Sequence, residues 1–177
     1  MQNMSWRKPC TATNHGLTLT LGAVCSITGW SERTAWRRLS AGSITRVGDT
    51  GNGSRVLLDW SSVEQHARLR FDDDALSLLA CADAGDADAQ NDIALYFFER
   101  ALPSAAIYWL QQAVRSGHAD AMHWLGRCYL AGNGLESDRN LGLMWLARSA
   151  SAGHPISDGL LHALCGRFSG QPACLPG

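Results

Sequence analysis

"YWLQQAVRSGHADAMHWLGRCYL", residues 108–130, aligns on its central glycine with "MWLARSASAGHPISDGLLHAL", residues 144–164. Trp109-Leu110 falls over Trp145-Leu146, and Gly117-His118 over Gly153-His154. Upstream, "ALSLLACADAGDADAQNDIALYF" (75–97) repeats the pattern, with Gly85 over Gly117 and Ala87-Asp88-Ala89 over Ala119-Asp120-Ala121. The glycines are spaced by 32 and 36 residues, the period of a repeated helical hairpin. Helices are predicted before the glycines over about 75–84, 105–116 and 141–152, and after them over about 87–99, 119–131 and 156–166. Small residues such as Ala113, Ala119, Ala121 and Ala150 let helices approach. Trp109, Trp145, Leu110, Leu146, Leu125 and Tyr129 fill the space between them.

The whole chain of 177 residues is 46% hydrophobic and 18% charged, the balance of a globular protein. It has no run of about 18 apolar residues to cross a bilayer. The start, "MQNMSWRKPCTATNHG", lacks the apolar core of a secretory signal, so a cytoplasmic protein is expected. The six cysteines are scattered, with no CxxC pair and no histidine at zinc-finger spacing. Reduced thiols, no metal and no cofactor are expected, although an oxidising compartment would permit a Cys165–Cys174 disulfide. Charge is divided: residues 1–70 hold nine basic against four acidic side chains, net +5, and residues 71–177 hold six against twelve, net −6. Two modules with different partners follow, and only the basic front suits nucleic acid.

In that front half, "LTLGAVCSITGW" places Leu19, Leu21, Val24 and Ile27 at near-helical spacing. Thr28-Gly29-Trp30 breaks the run, and Ser31 is a natural N-cap for a second helix ending near Leu39 or Ser40, with Gly42 beyond it. On that second helix, Ala35 and Leu39 form the seam toward the first, while Arg33 and Arg37 share another face. "SITRVGDTGNGSRVLLDW" reads as two short strands around a glycine-rich tip. Ser61 with Glu64 then fits a capping box opening a closing helix. Helix, turn, helix, hairpin and helix compose a winged helix-turn-helix.

Those residues, over roughly 17–68, resemble the MerR-like/excisionase winged helix, with Ser31, Thr34, Arg37 and Gly42 on matching places. The glycine-rich wing is also similar to the N-terminal domain of Mu-type transposases. The resemblance implies that Arg33, Thr34, Trp36 and Arg37 enter the major groove of double-stranded DNA, with Arg38 beside them. It also implies that Arg46, Asn52 and Arg55 touch the backbone or minor groove. Arg38 stands where the family has an aromatic, so it must reach solvent or find a partner.

The rear half resembles the Sel-one-like repeat, a relative of the tetratricopeptide repeat. Its marks are Ala113…Gly117…Ala121, Leu125-Gly126…Tyr129, Gly132…Gly134-Leu135 and Trp145…Ser149. The resemblance implies a short superhelix whose surface holds a protein or peptide partner, with Tyr108, Trp109, His123, Trp124, Tyr129 and Trp145 as the contact residues. His118 and His154 fall on equivalent corners, which makes them structural residues of the repeat. So few repeats need support, from the front module or from a second copy in a homodimer.

The expected fold is mostly α: a small winged helix-turn-helix followed by a short α-solenoid of about three helix pairs. The divisions are a flexible start (1–16), the winged helix (17–70), an acidic linker (71–74), the repeats (75–166) and a flexible tail (167–177). No catalytic motif is present, so the chain is not expected to be an enzyme. The expected function is sequence-specific DNA binding in transcription regulation, with the repeats recruiting a protein. The alternatives are a protein adaptor that binds no DNA, and an accessory factor of a mobile element.

Overall fold

A computed structural model describes residues 16–49 and 56–169. The front half begins with a short strand, β1 (Thr18–Thr20), followed directly by α1 (Leu21–Thr28). Leu19, expected in the first helix, lies in β1 instead. The alternating Thr-Leu-Thr segment suits a pleat, and Leu19 pairs with Leu58, 39 residues away. Thr20 closes the strand and caps α1, accepting the amide N–H of Ala23. Gly29, at φ 71°, ends α1 in the left-handed region, where a side chain is strained.

The second helix, α2 (Glu32–Ser40), starts on Ser31, whose hydroxyl accepts the Thr34 amide at 3.2 Å. Gly42, at φ 70°, follows its end, as the sequence suggests. Then β2 (Arg46–Asp49) and β3 (Val56–Asp59) complete an antiparallel sheet in the order β1-β3-β2, with an irregularity in register between Arg46 and Gly48. Asn52 and Arg55 lie outside the described residues. The expected capping box at Ser61 is not formed. The closing helix, α3 (Trp60–Val63), starts two residues earlier, on Asp59, and Ser61 instead donates to the Asp59 carboxylate. A single turn of 3₁₀ helix (Glu64–His66) ends it.

Among the described residues, the rear half has six helices: α4 (Asp73–Asp83), α5 (Ala87–Glu99), α6 (Pro103–Arg115), α7 (Ala119–Ala131), α8 (Arg139–Ser151) and α9 (Pro155–Ser169). Gly85, Gly117 and Gly153 sit at the corners with φ of 104°, 81° and 89°. Among the described residues, no helix is long and apolar enough to cross a membrane.

Phe71 joins the two halves. Phe71 meets Trp60 edge-on at 5.7 Å, stacks on Tyr96 at 5.9 Å and meets Phe97 edge-on at 6.2 Å. Asp72 caps α4 through the Ala75 amide at 2.8 Å. Asp83 of α4 accepts both the amide and the hydroxyl of Thr20. The Tyr108 ring of α6 lies where a side chain on Gly22 would stand. One apolar core therefore runs from Leu19, Val24, Ile27 and Leu58 through Leu79 and Phe97 to Trp109, Leu110 and Leu125.

The thiols depart from the uniformly reduced set expected. Cys25 and Cys128 are free, whereas Cys81 is disulfide-bonded. Burial pushes both free thiols up to about 11, so neither is poised as a nucleophile.

Candidate functional site

The helix α2 is sorted by its faces. Ala35 is fully buried and Leu39 packs beside it against the core. Arg33 and Arg37, one turn apart, are exposed, and the 3.6-residue period turns them away from that seam. Among the described residues neither is paired with a carboxylate. Two guanidinium groups thus stand side by side in water on a helix held by a good cap. Arg46 is exposed on β2.

The other predicted members of this site divide. Thr34 is half-buried and its hydroxyl is 3.0 Å from that of Ser31, so it serves the cap. Trp36, 44% exposed, lies on the edge it shares with Glu32 and borders a groove of about 390 Å³ between the two halves. Arg38 is corrected: its guanidinium carbon lies 4.4 Å from the centre of the Trp30 ring, and its Nε is buried without a hydrogen-bond partner. The arginine found its partner in a tryptophan and is spent on packing rather than presented with Arg33 and Arg37.

The surface residues predicted on the repeats divide as well. Trp109, 1% exposed, and His123, 4% exposed, are interior, which corrects their assignment as contact residues. Tyr108 is committed to the front half, over Gly22 and edge-on to Trp109 at 5.0 Å. Trp124, Tyr129 and Trp145 remain half-buried, with Arg127 over Trp124 at 4.8 Å and Arg148 over Trp145 at 4.9 Å. Sequence reasoning missed Ile156 and Leu160, 61% and 40% exposed and one turn apart on α9. The spacing alone could have paired them, but in the alignment they fall over Asp120 and Trp124, which disguised the face.

The corner histidines are structural, as their equivalence suggests. His118 caps α7, its Nδ1 accepting the Ala121 amide at 3.2 Å, while Nε2 lies 3.1 Å from Asp88 of the preceding hairpin. His154 does the same for α9: Nδ1 accepts the Ser157 amide at 3.1 Å, and Nε2 lies 3.4 Å from Asp120. An accepting Nδ1 fixes the proton on Nε2, so each neutral imidazole can donate to an aspartate of the hairpin before it. Around His154 the bonds form a directed chain. Ser149 donates to the Ala119 carbonyl and Ser157 donates to Ser149, each at 2.8 Å. The Ser157 oxygen is then left to accept from Nδ1 of His123 at 2.8 Å. His123 also stacks on His154 at 4.4 Å. Burial, then the neighbouring His154 and Arg127, hold His123 below the usual histidine range. Among the described residues, no three of His, Cys, Asp and Glu converge as a metal-binding group.

A chain of antiparallel helices, turned at glycine corners and latched from one pair to the next, is a helical-repeat array. Its repeats are Sel1 repeats: the family's model matches residues 87–118 and 119–154, and such repeats indicate a protein partner. The matched units run corner to corner, α5 with α6 and α7 with α8, leaving α4 and α9 as flanking helices. No curated protein matches the chain.

Proposed function

We propose that this protein is a DNA-binding regulator, in which residues 17–70 form a winged helix that lays α2 in the major groove and the Sel1 repeats hold a protein partner. The observation that carries the reading is the pair of exposed guanidinium groups of Arg33 and Arg37, without a carboxylate partner among the described residues, on the outward face of a capped helix. Three further features support it. Two helices joined through Gly29 are followed by the antiparallel β2–β3 hairpin, which pairs with β1 from before α1. Arg46 projects from that sheet. Positive charge is concentrated in the same half of a chain whose total is only −1. Arginine–phosphate contacts supply most of the affinity, and a partner or a second copy on the repeats adds binding surface that one small domain lacks. The cytoplasm is the compartment where such a regulator meets its DNA.

Mobility-shift titration with a duplex of mixed sequence at low salt tests this. The wild type binds, and Arg33→Ala with Arg37→Ala loses most of the binding while melting at the wild-type temperature. Retention by the double variant overturns the assignment of α2.

A second reading, an adaptor that contacts proteins only, is favoured by one observation: the Ile156–Leu160 face of α9 is apolar and exposed. It predicts no mobility shift at any salt concentration.

A further inference from the structure

We propose that the DNA-binding face continues from α2 onto the first Sel1 repeat, where Arg115 holds a phosphate of the strand that borders α2. This rests on the DNA-binding reading above and assigns it a residue outside the winged helix. A helix about 10–12 Å across fills a major groove about 12 Å wide, so a phosphate strand runs along each edge of a docked helix. One edge of α2 is Glu32 and Trp36. The groove beside that edge has Tyr108, Gln112 and Arg115 of α6 as its far wall. Arg115 is exposed in the last turn of α6 and has no carboxylate partner among the described residues. Its Nη1 donates to the side-chain oxygen of Gln112 at 3.2 Å, which orients the guanidinium and leaves its other N–H groups free to donate.

The position of Arg115 relative to α2 is set by packing. Tyr108, two turns earlier on α6, presses on Gly22 of α1. Thr20 at the start of α1 is tied to Asp83 of α4. The cation is therefore carried on a helix docked against the winged helix, so it adds a contact at a fixed distance from Arg33 and Arg37. Glu32 lines the same groove and opposes a phosphate there, which gives the inference a second arm of opposite sign.

The test is fluorescence anisotropy of a labelled duplex with the full chain, between about 50 mM and about 200 mM salt. Arg115→Ala is expected to weaken binding and to flatten the log–log salt dependence by about 0.9, the value of one lost phosphate contact. Glu32→Gln is expected to tighten binding. Arg148→Ala, which removes an equal charge from α8, keeps the wild-type slope. If the wild type binds but Arg115→Ala keeps its slope, or if Arg148→Ala flattens it equally, this inference is overturned and the DNA reading stands. If the wild type does not bind, the DNA reading falls and this inference falls with it.

Discussion

The helices α2 and α7 are both capped and both rich in functional-looking side chains, yet they spend them differently. The nine residues of α2 bury Ala35 alone. The thirteen of α7 bury Ala121, His123, Leu125, Gly126 and Cys128. What a helix buries is committed to its neighbours, and what it leaves in water is free to bind. So α2 leaves two arginines in water, while α7 turns a histidine and a row of small residues into the joint between hairpins. The front half offers specific groups on a small surface. The rear half offers shape, with Trp124, Tyr129 and Trp145 only half shown.

Removing the core that both halves share breaks this comparison most severely. Trp109→Ala should cost about 3–5 kcal/mol of stability. Because the core is continuous, chemical denaturation should show one transition, with the front and rear lost together. A front half that melts separately would show that the two regions are independent bodies.

The next effect belongs to the histidine joint. His123 titrates below the ordinary histidine range in the folded chain, so below about pH 6.5 the unfolded chain takes up its proton first. Stability should therefore be full at neutral pH and fall as pH drops from there toward the folded value. His154 and Arg127 work in the same direction, and Asp120 opposes them. Ser157→Ala leaves the buried Nδ1–H of His123 without its acceptor and should cost about 1–3 kcal/mol at neutral pH. Melting at pH 7.5 and 5.5 reads both, and His123→Asn should flatten the acid arm. An acid arm unchanged in that variant would place the titrating group elsewhere.

Smaller effects sharpen the contrast at α2. Ser31→Ala removes the cap and should cost about 1 kcal/mol by thermal melting, with α2 the first element to lose amide protection. Arg38→Ala removes the stack on Trp30 and should cost about 0.5–1 kcal/mol. It should weaken DNA binding much less than Arg37→Ala does. Equal losses from the two would return Arg38 to the groove-facing set.

Much of this arrangement was legible in the chain. The corner glycines and the caps fix helix ends to within a few residues, because a left-handed turn and a side-chain acceptor are local requirements. Ser31, Gly29 and Gly42 work the same way. What escaped depends on distant partners. Leu19 has helical spacing but is claimed by Leu58 across a sheet. Phe71 sits beside three aspartates, which conceal that it bridges Trp60 and Phe97. Trp109 and His123 look like surface anchors until the neighbouring helices cover them. Arg38 looks like a member of the basic face until Trp30 lies beneath it. Periodicity tells which residues share a face, but not what the face meets.

The most direct test of the central claim, that the outward face of α2 is where a duplex docks, is backbone amide NMR of the full chain titrated with duplex DNA at low salt. The account predicts that shifts gather on residues 31–42 and 46–49 and on the last turn of α6, leaving α7 to α9 unmoved. Shifts confined to α7–α9, or none at saturating duplex, would contradict it.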